Sequence, residues 1–341
     1  MSNNTCSQLS VSYPFLFLSA VNVILGIVAT GCNGLLVRQL LLTSVLPKNS
    51  RTILLNITVA TGLSALCLTV HYGIYHTYIL FNGFEPISNR LCTVTQTPYG
   101  CFGTVAIVGT GGLAVERLWA NQHATAETDT LSLPVKLGIV WLWLMGLTTF
   151  ALLLIFLEEY EICFCNIVST MPESVYHFLA FSLLFLSVSA FLCYVCIYLQ
   201  GQRRWQQEGV NKSLRRLNER FGLWQTLLVT KTMLPGTALN AASWSLVIVG
   251  CWLFVLPGPS TESTVALVTA QVVVLLYLTC HPLLCMMVNE KLRPTFLKER
   301  TEDVTTDGNR GAAKVVIDFR FSPEQAQRLV ESCWISERRL H

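Results

Sequence analysis

Charge is scarce in this chain. Asp, Glu, Lys and Arg make up 13% of its 341 residues, and mean hydropathy is +0.52. That is too apolar for one soluble domain, and the chain is too long for a single membrane anchor. Acidic residues are missing from the long apolar tracts altogether, which argues against a zinc-dependent membrane hydrolase. Zinc takes about four close ligands at one depth, whereas His71 and His76, His177, and His281 fall in three different tracts with no Asp beside them. Strict polar/apolar alternation is missing too. Runs such as "ALLLIFL" and "VVVLLYL" are apolar on every face, which excludes the strands of a barrel and fits helices in lipid or in a bundle. No internal repeat is visible, and intramembrane charge is limited to one Lys, so a transporter or ligand-gated channel subunit is the alternative reading rather than the first. No basic residue precedes the first apolar tract and no small-residue cleavage site follows a short apolar core, so that tract reads as an uncleaved signal anchor.

Leaving Lys231 aside, every charge lies outside seven tracts: Met1–Val37, Thr52–Phe84, Leu91–Val115, Leu137–Leu157, Ser174–Gln202, Phe221–Thr261 and Ser263–Asn289. Each can supply the ~20 apolar residues that cover a hydrocarbon core of ~30 Å. The expected fold is an all-α membrane protein, a bundle of seven transmembrane helices. Counting connections alternately, one side holds Arg38, Lys48, Arg51, Arg117, Lys136, Arg203, Arg204, Lys212, Arg215, Arg216 and Arg220, and the other holds Arg90. The basic side is the cytoplasmic one, which puts the amino terminus outside and the carboxy terminus inside. Of the sequons at Asn3, Asn56 and Asn211, only Asn3 then lies where it can be glycosylated.

The third tract runs from Leu91 to Val115 without charge and then places Glu116 beside Arg117. Arg117 is 25 residues beyond Cys92, about 37 Å of helix, so the pair marks the inner end of a span whose outer mouth is Cys92. Cys163 and Cys165 of "EEYEICFCN" lie in the loop between the fourth and fifth tracts, in a compartment that favours disulfides. A bond from Cys92 to either would pin that loop across the outer mouth.

At this point the chain resembles the rhodopsin-like G-protein-coupled receptors, in which a third-span Cys, an acidic-Arg pair 25 residues later and a loop Cys form a recurring set. The resemblance runs from Asn33 to Phe296. Asn33 in "GCNGLLV" is similar to the family's first-span Asn and Asn56 in "LLNITVAT" to its second-span Asn. Trp141 or Trp143 looks like the fourth-span Trp, Pro235 like the sixth-span Pro, and Pro282 of "CHPLLC" like the seventh-span Pro. "NEKLRPTF" resembles the short amphipathic helix that follows. Thr61 stands where the family keeps an acidic residue, and His281 and Cys285 replace a seventh-span Asn and Tyr. "AVERLWA", "LLNIT" and "SLRRLNERFGLWQTLLVTKTMLP" resemble instead the nematode serpentine chemoreceptors of the Sra superfamily.

The resemblance implies a chemosensory-type receptor in the plasma membrane, a sensory cilium included, that binds a small molecule outside and activates a heterotrimeric G protein inside. It implies no enzyme activity, no cofactor or metal and no nucleic-acid partner; oligomeric state is open. The switch and coupling candidates are Glu116, Arg117, Arg215, Arg216, Arg220, Pro235, His281 and Pro282. A mid-helix Pro235 deletes a backbone hydrogen bond and supplies a hinge. Lys212, Arg215, Arg216 and Arg220 make one basic face, which suits topology and anionic lipid as well as a G protein. Lys231, 11 residues beyond Arg220, is about 16 Å further along the helix. It is expected to have a structural or gating role facing backbone carbonyls freed near Pro235, with ligand contact as the weaker alternative. Candidate pocket residues are Tyr72, His76, Gln96, Tyr99, His177, Trp244 and Gln271, a mostly apolar setting with a few polar groups. Tyr99 occupies the place where amine receptors carry Asp, so a cationic amine is not the expected ligand. The seventh tract has no Lys, which sets the chain apart from visual pigments. Its organisation is expected to be an extracellular segment 1–13, a bundle 14–298 with a juxtamembrane helix at 289–297, and a cytoplasmic tail 299–341. Ser322, Pro323 and Gln325 cap a short helix there, 323–334.

Overall fold

The computed structural model describes residues 13–43, 46–82, 86–123, 131–155, 161–162, 164–165, 173–208, 217–254, 261–289 and 292–293. The chain divides into a unit Met1–Pro294 and a unit Thr295–His341, and the second, with the expected helix 323–334, lies outside the described residues. The juxtamembrane helix at 289–297 does too, apart from Asn289, Leu292 and Arg293.

Among the described residues, seven helices form in chain order: α1 Tyr13–Leu42, α2 Lys48–Asn82, α3 Asn89–His123, α4 Leu133–Ile155, α5 Glu173–Glu208, α6 Leu217–Phe254 and α7 Thr261–Val288. All are long and apolar enough to cross a membrane, and the chain is a multi-pass membrane protein. Helix is what the composition demands, because backbone groups in hydrocarbon must be satisfied locally. Threonines inside the spans obey the same rule by folding their hydroxyls back on the preceding turn, as Thr58 does on Leu54 O (2.8 Å) and Thr61 on Ile57 O (2.7 Å). The surface is apolar: Ile24 and Ile27 on α1, Leu137, Val140, Trp141 and Leu144 on α4, and Phe178 and Phe185 on α5 are all exposed.

α1 packs on α2 and closes the ring against α7, while α3 runs through the middle and touches α2, α4, α5 and α6. Small residues permit the close approaches, as expected where no hydrophobic force drives helices together in lipid. At Gly146 of α4, an added Cβ would stand 2.5 Å from Val105 Cγ2 and 3.2 Å from Cys101 O of α3. Polar pins cross between helices. Asn33 Nδ2 donates to Leu278 O (2.9 Å), the carbonyl four residues before Pro282 that the proline leaves without its helical donor. Trp143 Nε1 donates to Asn56 Oδ1 (3.0 Å), so Trp143 faces inward while Trp141 is exposed.

At one end of the bundle, strands β1 Ile87–Ser88 and β2 Glu161–Ile162 pair antiparallel, Ile87 opposite Ile162. Cys165, three residues past β2, is disulfide-bonded to Cys92 in the first turn of α3, with Cα atoms 5.3 Å apart. Cys163 lies outside the described residues. Phe164 stacks edge-on with Phe15 of α1 (5.3 Å between ring centroids) and Tyr75 of α2 (5.9 Å), plugging the end.

Candidate functional site

Two sites lie at opposite ends of α3. At the end away from the disulfide, Glu116 and Arg117 occupy successive positions, and the long Arg side chain curls back. Arg117 Nε donates to Glu116 Oε2 (2.5 Å) and Nη2 to Oε1, a bidentate pair. Arg117 is 1% exposed and is the one buried Asp, Glu, Lys or Arg among the described residues. The Glu116 carboxylate is further held by Ser50 Oγ of α2 (3.1 Å). Tyr194 of α5, fully buried, lies within electrostatic range of the pair. One turn beyond, Arg204 Nη1 donates to Asn121 O (2.5 Å), joining α5 to α3. Ser50, Tyr194 and Asn121 carry no motif of their own. Ser50 and Asn121 are signalled only by lying near helix ends, and Tyr194, mid-helix on α5, by nothing in the sequence.

Pro235 sits inside a continuous α6. At the next residue, Gly236, α6 approaches α7 closely: a Cβ there would lie 2.6 Å from His281 Cδ2 and 3.1 Å from His281 Nε2. His281 is buried, its ring beside Tyr277 (5.8 Å), and Cys285 Sγ reaches Thr232 O of α6 (4.0 Å). His281, beside Pro282, is thus the surface on which the Pro235–Gly236 segment rests. Arg220 falls in the first turn of α6, and Arg215 and Arg216 lie outside the described residues.

Lys231 requires a correction. It is exposed and turned away from the bundle, so it does not face freed carbonyls. Its depth also differs from expectation. Thr232 bonds with Asn289, just past the end of α7 (3.5 Å), so Lys231 is level with the end of that helix. There an ammonium on a long stem reaches headgroups.

At the disulfide end, a buried network holds the plug. Gln96 Nε2 donates to Cys165 O (3.2 Å), which fixes the amide's orientation, and contacts His71 Nε2 (2.9 Å). That ring nitrogen must therefore accept, so His71 is neutral with its proton on Nδ1, donated to Thr95 Oγ1 (3.0 Å). Gln96 is thus committed to the disulfide segment rather than free for a ligand. Tyr72 and Tyr99 belong to one apolar cluster joining α1, α2, α3, α6 and α7, and Gln271 lies one turn along α7 from its Val274 and Leu275. His76 is one turn beyond Tyr72. His177 is not among them: it packs with Phe181 and Trp252 (6.3 Å each), two half-exposed rings on the outside of α5 and α6. Trp244 is half-buried on α6. Among the described residues no group of His, Cys, Asp and Glu could hold a metal ion.

No family model and no curated protein matches the chain. Among solved structures, the crystal structure of squid rhodopsin superposes with a TM-score of 0.62, covering 92% of this chain and 89% of that one at 15% identity. The likeness is one of fold: the seven-helix bundle found here is rhodopsin-like.

Proposed function

We propose that this chain is a G-protein-coupled receptor of the chemosensory type, with its amino terminus outside and the Glu116–Arg117 end in the cytoplasm. What supports this most is the construction of α3. One helix carries a plugged polar site and a disulfide at one end and a buried, paired arginine at the other. A switch needs an element with two arrangements whose balance both ends can bias, and a buried ion pair is either closed or broken. The resting state is the closed pair, with α6 resting on His281 at Gly236. In the signalling state α6 pivots at Pro235, Arg117 leaves Glu116, and the cytoplasmic end opens to a G-protein helix. Small-molecule binding among Tyr72, Tyr99 and Gln271 shifts the balance. The charge asymmetry of the connections supports the orientation.

The test is a nucleotide-exchange screen of the full chain in cells against small volatile and water-soluble compounds, with output normalised to surface receptor. A compound-dependent response that Arg117→Ala abolishes, with surface level retained, is the expected result. An Arg117→Ala receptor that responds normally would remove the ion pair from the mechanism, and compound-driven ion flux without nucleotide exchange would replace the receptor by a channel.

A further inference from the structure

Buried polar atoms in a folded protein are hydrogen-bonded with few exceptions, and each exception asks for a reason. Here five of the fourteen exceptions among the described residues fall at similar height on α1, α2 and α7. Ser19 Oγ and Asn22 Oδ1 of α1, Tyr72 OH and His76 Nε2 of α2, and Gln271 Oε1 of α7 are buried without a partner. Ser19, Asn22 and Tyr72 have no accessible surface, and Gln271 has 6%. Cross-helix contacts set their register. Gly26 meets Thr69 and Gly62 meets Asn33 across α1 and α2, while Asn22 Nδ2 donates to Val268 O (3.4 Å) and Asn33 Nδ2 to Leu278 O (2.9 Å) across α1 and α7. Antiparallel α1 and α2 in that register put Ser19 level with His76 and Asn22 level with Tyr72. Parallel α1 and α7 put Gln271 within a turn of Asn22. Five unpartnered polar atoms therefore lie within about two turns of height on three helices that pack against one another. The aromatic plug of Phe15, Tyr75 and Phe164 closes the seam above Ser19.

The chemistry of the set is specific. Asn22 must present an acceptor, since flipping its amide would turn oxygen against the Val268 carbonyl. The hydroxyls of Ser19 and Tyr72 donate or accept. No charge is available: among the described residues the buried charged side chain is Arg117, at the other end of α3. An ion brought here would lose its hydration without a counter-charge. We infer that the seam between α1, α2 and α7 is a binding site for a small uncharged molecule with an aromatic or apolar body and a head that donates and accepts hydrogen bonds, such as an alcohol, phenol or amide. This rests on the receptor reading for its physiological meaning and on the seam alone for its chemistry. It enlarges the candidate site by Ser19 and Asn22. Their sequence signal is two polar residues at i and i+3 in the otherwise apolar "FLFLSAVNVILG".

Four probes of matched size separate the possibilities: benzyl alcohol, benzamide, benzylammonium and benzoate. Saturation-transfer NMR on the full chain in lipid nanodiscs should show binding of the first two and not of the charged pair, and the signals should vanish in Gln271→Leu and Tyr72→Phe. With no probe present, both variants should unfold at the same temperature as the parent or higher, because each deletes an unpaired buried polar atom. Preferred binding of a charged probe, probe signals that survive both substitutions, or no binding by any probe (internal water only) would overturn the inference. So would probe-free unfolding at a lower temperature, which would mean that the polar atoms serve the fold. The nucleotide-exchange assay keeps the two readings apart. Neutral probes that bind without exchange leave the site standing and remove the receptor, whereas exchange driven by a charged probe does the reverse.

Discussion

Gly236→Ala is the most direct probe of the contact between α6 and α7. The added methyl carbon would stand 2.6 Å from His281 Cδ2, whereas ordinary contact starts at 3.4 Å, so the helices must part by about 0.8 Å at this level. His281 cannot easily yield, being 1% exposed and packed beside Tyr277 and Cys285. Overpacking of this kind costs about 1–3 kcal/mol. The cost falls on the state in which α6 rests on α7 and is relieved where α6 stands off. The gain in helix propensity from Gly to Ala is common to both states and cancels. With 1.4 kcal/mol per factor of ten, the balance should shift toward the open arrangement roughly 5- to 150-fold. The assay is basal nucleotide exchange per surface receptor, with no compound added. Gly236→Ala should raise it, and the double variant Gly236→Ala/His281→Ala should return it toward the parent level by making room for the methyl. Gly146→Ala is the control: its Cβ would stand 2.5 Å from Val105 on α3, away from the pivot. It should lower the unfolding temperature and leave basal exchange unchanged. An unchanged basal level in Gly236→Ala, or the same level with and without His281, would refute the reasoning.

Glu116→Gln should raise basal exchange by more than tenfold. Arg117 is buried rather than surface-exposed, and stripping a buried ion of its partner costs about 3–5 kcal/mol against 0–1 for a surface pair; a rise below about fivefold would mean that solvent already screens the pair. Cys92→Ser and Cys165→Ser should each cut surface expression to a similar degree, since the bond closes a 73-residue separation and such a crosslink is worth about 4 kcal/mol in the chain-entropy account; peptide maps unchanged by reduction around Cys92 would dispose of the bond. Trp143→Phe should cost about 1 kcal/mol by leaving Asn56 Oδ1 without its donor, while Trp141→Phe, on the lipid face, should leave the unfolding temperature within error. A tag at the amino terminus should be accessible on intact cells and one after His341 only after permeabilisation; the opposite pattern would reverse the proposed orientation.

The number of spans and their approximate limits were legible in the sequence because both depend on local physics. A backbone in hydrocarbon must bond within its own helix, and a stretch of charge-free residues is all that requires. Arg117 could be singled out for the same reason, as charge placed where a span ends. Rotation about each helix axis was not legible. In α1 and α4 apolar residues face both lipid and neighbours, so the period that identifies the inner face of a helix in a soluble protein carries little signal. Only packing decided that Trp143 turns inward and Trp141 outward, that Lys231 faces away from the bundle, and that His177 parts company with Tyr72 and Gln271. Depth was lost similarly. Lys231 looked deep when measured from Arg220 along its own helix and is shallow when measured against Asn289 of its neighbour. The choice of Cys165, the burial of Arg117 and the convergence of five unpartnered polar atoms on one seam join residues tens to hundreds of positions apart. A sequence states which groups are polar; how helices rotate and slide against one another decides which of them are left without a partner.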